Sequence, residues 1–222
     1  MKSSILALLL TFSGMTTIFA QGNAVADKEA YTKMITERSA KIVANLGITD
    51  AKKTEKVTVI IRNQYSDLND IYAARDARVK AIKEKNKDNK VERDSALAKD
   101  ARVVEASLAK LHKKYISKLS AQLTNEQVDL VKNGMTYNVL PITYKAYQEQ
   151  ILTLTEDQKK QILIWLTEAR EHAMDAESSD KKHAWFGKYK GRINNYLSAA
   201  GYDLKQEGIE WEKRRKAKVE NN

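Results

Sequence analysis

Val57-Thr-Val-Ile-Ile-Arg-Asn-Gln-Tyr-Ser-Asp-Leu-Asn-Asp-Ile-Tyr-Ala-Ala-Arg-Asp-Ala-Arg-Val-Lys-Ala-Ile82 decides the fold of this chain. Val57, Ile60, Ile61, Tyr65, Leu68, Ile71, Tyr72, Val79 and Ile82 recur at steps of three and four, the signature of one apolar stripe along a long helix. Thr49 stands in the N-cap position of that helix. The stretch Lys83 to Arg93 is charge and amide, a solvated tip. Leu97, Ala101, Val104, Leu108, Leu111, Tyr115 and Leu119 then resume the period to residue 120. Two long helices joined by a polar tip predict an antiparallel αα-hairpin.

The rest of the chain reads the same way. A helix over residues 27 to 45 carries Tyr31, Met34, Ile35 and Ile42, with Gly47 as its stop signal. Thr124 caps a short helix ending at Gly134. Residues 135 to 143 form the one apolar stretch without helical period. Pro141 predicts a loop there, carrying Tyr137, Val139, Leu140 and Ile142. A short helix follows from Tyr144 to Ile151. Thr155 caps another to about Ala176, a break at Ser178 to Lys181 precedes a helix over 182 to 200, and Asp203 caps a last one. One proline, eight glycines and a surplus of good helix formers exclude a β-rich chain. The expectation is an all-α bundle of about seven helices.

The first twenty residues read as a secretory leader. Lys2 supplies a positive start, Ile5 to Leu10 begin an apolar run, and Ala20 offers a small residue for cleavage. Residues 21–222 then form a single helical domain in the periplasm or outside the cell. The apolar run is too short and polar for a membrane anchor, and no later segment can span a bilayer. The chain has no cysteine, so an exported fold must hold by its core alone. Its net charge of +10 mixes 39 basic with 29 acidic residues. Outside the cell that balance favours glycan or another polyanion as partner over nucleic acid.

Chemistry-bearing side chains concentrate late in the chain. Trp185, Tyr189, Arg192 and Tyr196 share one face of a helix. With Asn195 and the loop residue Tyr137 they make a candidate ligand-binding patch, in which rings stack on sugar CH groups and Arg192 bonds hydroxyls or carboxylates. Gly187 and Gly191 sit four apart in the same helix and predict the close approach of another backbone or a ligand. Glu168, His172 and Asp175 share a face of the preceding helix. They are candidate metal ligands in an incomplete set, and Glu168 with His172 is a candidate acid–base pair. No phosphate loop, nucleophile elbow, zinc-protease pair or calcium loop is present, and no cofactor is expected.

Leu123-Thr-Asn-Glu-Gln127 and Leu154-Thr-Glu-Asp-Gln158 repeat one pattern, which reads as a capping box. The pattern also resembles the LTxxQ motif of small periplasmic stress chaperones of the Spy and CpxP type. A wider resemblance rests on five stretches: Tyr31 to Arg38, Arg62 to Asn69, Asn133 to Pro141, Glu168 to Asp175 and Lys182 to Asp203. Together they are similar to the secreted bacterial domain-of-unknown-function family 3826. That resemblance implies export and a polysaccharide-utilisation setting, and assigns no role to any residue. The expected function is a non-catalytic accessory protein binding acidic glycan. The alternatives are a Spy-like holdase and a carbohydrate-active enzyme using Glu168 and His172.

Overall fold

The computed structural model describes the backbone of residues 16–220 and the side chains of residues 27–219. The described residues form eight α-helices and no strand. These are α1 (Thr16–Val43), α2 (Ala51–Lys85), α3 (Lys90–Ser120), α4 (Asn125–Met135), α5 (Val139–Gln150), α6 (Glu156–Met174), α7 (Ser179–Ala199) and α8 (Leu204–Glu220). The leader expected over residues 1–20 lies, as far as Met15, outside the described residues. No helix among the described residues is long and apolar enough to cross a membrane.

The α2–α3 hairpin forms as its stripes require. Its tip closes at Asn86–Asn89, where Asn89 Oδ1 accepts from the Glu92 amide at 3.1 Å and so caps α3. Val57, Ile61 and Tyr65 of α2 pack with Tyr115 and Leu119 of α3 in the core, whereas the half of the hairpin near the tip is mostly solvated. Ile61 and Leu119 are fully enclosed. Each such side chain contributes about 1.5–3 kcal/mol by leaving water.

Apolar burial divides into two clusters. The first gathers Ile35, Ile42, Val57, Ile61, Tyr115, Leu119, Val131 and Met135 from α1 to α4, together with Met174 at the end of α6. The second gathers Leu140, Tyr147, Ile162, Leu166, Ala169, Ala173, Phe186, Ile193 and Leu197 from α5, α6 and α7. Helix α6 reaches both. Both LTxxQ segments are complete capping boxes, with Thr124 paired to Gln127 and Thr155 to Gln158. Leu123 and Val128 are both buried in the first cluster, as a hydrophobic staple requires.

Three local expectations need correcting. The cap of α2 is Asp50, not Thr49: Asp50 Oδ1 accepts from the amides of Lys52 at 2.8 Å and Lys53 at 3.1 Å. The carboxylate sits one residue closer to the unpaired amides that need it. Second, α5 begins at Val139 and runs through Pro141. The proline falls in the first turn, where an amide has no acceptor within the helix, so its missing N–H costs nothing. The turn ahead of it is made by Tyr137 (φ 58°) and Asn138 (φ 56°), two consecutive left-handed residues that are not glycine. Third, no other backbone closes on Gly187 or Gly191, since a Cβ added at either would meet nothing within 4 Å. The glycine with a packing role is Gly134 inside α4, where a Cβ would lie 3.0 and 3.1 Å from the branched carbons of Ile42.

Candidate ligand-binding cleft

The left-handed turn at Tyr137–Asn138 is one wall of a cleft. Backbone strain of this kind survives only where the surroundings enforce it, and it gathers at functional sites. An open recess of about 490 Å³ runs between α1 and this turn, lined by Met34, Arg38, Lys41, Tyr65 and Tyr137 among others. A narrower recess of about 200 Å³ continues it towards the α6–α7 turn, adding Tyr31, Asn69, Tyr72, Ser178 and Lys182. Met34, Arg38, Tyr65 and Tyr137 line both.

Four tyrosines face this space and each is held. The Tyr31 hydroxyl donates to the Tyr65 carbonyl at 3.2 Å. The Tyr72 hydroxyl donates to the Asp175 carbonyl at 2.6 Å. Tyr137 stacks on the His183 ring, 5.4 Å between centroids and 9° apart in plane. The Arg38 guanidinium lies 5.5 Å over the Tyr65 ring. Burial pushes the Tyr65 phenol up to about 12, with Arg38 pulling the other way. Burial, then Glu177 and Asp175, does the same for Tyr72. Both phenols therefore remain neutral donors across the physiological range.

Lys182 is the unexpected member. It begins the second turn of α7, is only 6% exposed, and donates from Nζ to the carbonyls of Ala173 and Met174, both at 2.8 Å. It thereby satisfies carbonyls at the end of α6 that have no partner within that helix. Burial lowers the amine to about 8, opposed by the nearby Asp175 carboxylate and reinforced by Arg38.

Behind Lys182 a chain of charges ties α3, α4 and α6 together. His112 Nδ1 meets Asp175 Oδ2 at 2.7 Å, and its Nε2 lies 3.5 Å from Glu171 Oε2. Glu171 also accepts from Lys132 at 2.9 Å, and Asp175 Oδ1 from Gln64 at 3.3 Å. Arg170, 5% exposed, donates to Asp129 at 2.7 Å, Asn133 at 2.9 Å and Glu171 at 3.3 Å. The hydrogen bond with Asp175, then that with Glu171, raises His112 to about 9, so the imidazole is a cation at neutral pH. Burial would raise Glu171, but His112 and Lys132 outweigh it and bring the carboxyl down to about 2. The two carboxylates approach opposite nitrogens of one ring, so the trio shares no point where an ion could sit. Among the described residues no group of three or more His, Cys, Asp or Glu could hold a metal.

A second groove of about 580 Å³ opens on the other side of this chain, between α3 and the α6–α7 pair. Val104, Leu108 and Trp185 give it apolar walls, and Glu105, with the ion-paired His112, Glu171 and Asp175, makes its polar edge.

The residues singled out by sequence are dispersed. Tyr137 lies in the tyrosine cleft and Trp185 in the second groove. Trp185 stacks on His172, 4.3 Å between centroids, with Lys188 Nζ 5.1 Å from its ring. Tyr189 is buried. Tyr196 meets Trp165 edge-on at 5.3 Å, and Arg192 lies over Trp165 at 5.8 Å and Tyr189 at 5.0 Å. These side chains engage one another along the α6–α7 contact. Asn195 is exposed beside them. Glu168 is partnered by Arg192 at 3.6 Å, while His172 lines the second groove and Asp175 turns to His112, so the three residues of that helical face do not converge. Sequence spacing missed Tyr31, Arg38, Tyr65 and Lys182, because they come from three helices. The available signal was the set of stretches Tyr31 to Arg38, Arg62 to Asn69, Asn133 to Pro141, Glu168 to Asp175 and Lys182 to Asp203. Each contributes a residue to the cleft or to the charge chain behind it.

An all-helical protein with a basic, tyrosine-lined cleft is the class that these features define. Residues 32–217 match the family described as a protein of unknown function (DUF3826), and the chain belongs to that family. No curated protein matches it.

Proposed function

We propose that the protein is an exported, non-catalytic accessory protein that holds a segment of acidic glycan in the tyrosine cleft. The observation that carries this reading is the convergence of Tyr31, Tyr65, Tyr72 and Tyr137 with Arg38, Lys41 and Lys182 around one open recess. Phenol rings offer apolar faces to sugar CH groups, and clefts with a few convergent polar groups are the usual form of small-ligand sites. Of the two acids in the lining, Glu177 is engaged by Arg75, which leaves the cleft basic. The second groove presents no comparable set of bases, since its one lining cation, His112, is held by Glu171 and Asp175. A leader at residues 1–20 would deliver the chain to where polysaccharide is met.

Isothermal titration of residues 21–222 against acidic and neutral oligosaccharides tests the reading. Acidic oligosaccharide should bind, and Tyr137→Ala and Arg38→Ala should each weaken it by about tenfold, the worth of one good aromatic or charged contact. Trp185→Ala should leave the affinity nearly unchanged. A panel with no binding, or binding lost only in Trp185→Ala, would sink it.

A further inference from the structure

We propose that Lys182 is the residue that reads a carboxylate in this cleft, so that the glycan it accepts is a uronate. This rests on the glycan reading above and adds to it the ligand group and the residue that recognises it.

An ammonium has three donors. Lys182 spends two of them on the Ala173 and Met174 carbonyls, and the residue lines the narrower recess. The third tetrahedral position is left for a ligand. Arg38 approaches the same space from α1 and supplies a second cation. A carboxylate between the two gains charge-assisted hydrogen bonds on a site already desolvated, where such bonds are strongest. An uncharged ester or a neutral hexose has no group that needs both cations.

Uptake of a proton on binding follows from the surroundings. Arg38 and Tyr31 face Lys182 from α1, Tyr65 and Tyr72 from α2, and Tyr137 from the α4–α5 turn. Asp175 and Glu177 face it from the end of α6 and the turn beyond. Burial holds the lysine near 8, and only the Asp175 carboxylate offsets it appreciably. The phenols of Tyr65 and Tyr72 titrate far higher, so of these three groups Lys182 changes charge first as pH rises past neutrality, and His112, bonded to Asp175 behind it, follows near 9. A bound carboxylate favours the ammonium, so occupancy raises the lysine and takes up a proton from solvent.

Tetragalacturonate and its methyl ester are the probes, titrated into residues 21–222 in buffers of different ionisation enthalpy. The acid should bind about tenfold tighter than the ester at about pH 7 and weaken by about tenfold towards about pH 10, while the ester changes little. Proton uptake should appear near pH 8 and vanish in Lys182→Met, along with the preference for the acid. Should Lys182→Met fail to fold, the acid–ester and pH comparisons on the unaltered protein decide alone. Equal binding of acid and ester, or a preference that survives Lys182→Met, overturns the assignment while leaving the glycan reading intact. Binding of neither probe nor any other oligosaccharide overturns both.

Discussion

His112 Nδ1 stands 2.7 Å from Asp175 Oδ2, which joins the middle of α3 to the residue that ends α6. Sequence separation hides the pair, and its consequence is a pH-dependent fold. The folded imidazole titrates near 9, well above the ordinary 6.5 of a histidine, because Asp175 and then Glu171 favour its charged form. The stabilisation is therefore complete below about pH 6.5 and is lost as pH rises through about 9. Its size is of order 3 kcal/mol at most. Urea midpoints measured across that window should fall with pH in the native sequence and lose that fall in His112→Gln. Lys182 acts in the opposite sense: its lowered amine makes the fold more stable as pH rises above about 8. The His112 effect should therefore be clearest between about pH 6.5 and 8. A midpoint that stays level there would contradict the assignment.

Three of the helical glycines, Gly134, Gly187 and Gly191, should separate cleanly. Gly187 and Gly191 face open space without left-handed backbone, so alanine at either should raise stability by about 0.5–1 kcal/mol through helix propensity. Alanine at Gly134 must displace Ile42, a buried β-branched side chain, and should lower stability by about 1 kcal/mol despite the same propensity gain. Thermal melts of the three single variants check both signs.

Arg170 and Asp129 should not be equivalent although they form one ion pair. Arg170→Met removes the partner of Asp129, Asn133 and Glu171 from a buried position and should cost about 2–3 kcal/mol. Asp129→Ala acts at a carboxylate that is 59% exposed, and leaves Arg170 with Asn133 and Glu171. Its cost should stay below about 1 kcal/mol. Denaturant titration of the two variants would show equal losses if the pair acted as an isolated contact.

The helices were legible because each is written locally: the α2 stripe, the two capping boxes and the Asp203 cap are all contained in a few turns of sequence. Pro141 misled because its meaning depends on where the helix starts, and that start is set by the left-handed turn at Tyr137–Asn138, which no residue type announces. The site was less legible for a different reason. Trp185, Tyr189, Arg192 and Tyr196 do share a region of α7, as their spacing implies, but spacing cannot tell packing partners from ligand contacts, and here α6 supplies the partners. Lys182 looked like one basic residue among many until the end of α6 was placed over it. Arg38 and Tyr65 acquire meaning only when α1 lies against α2.

Met174 belongs to the apolar cluster of the N-terminal helices, while Ala173, its neighbour in the chain, belongs to that of the C-terminal ones. A single helix thus serves as the spine of both halves. Neither half can melt without unravelling the last turn of α6 and exposing the other to water. Heating should therefore give one transition, with calorimetric and van't Hoff enthalpies in agreement, from a chain whose hydrophobic interior is in two pieces.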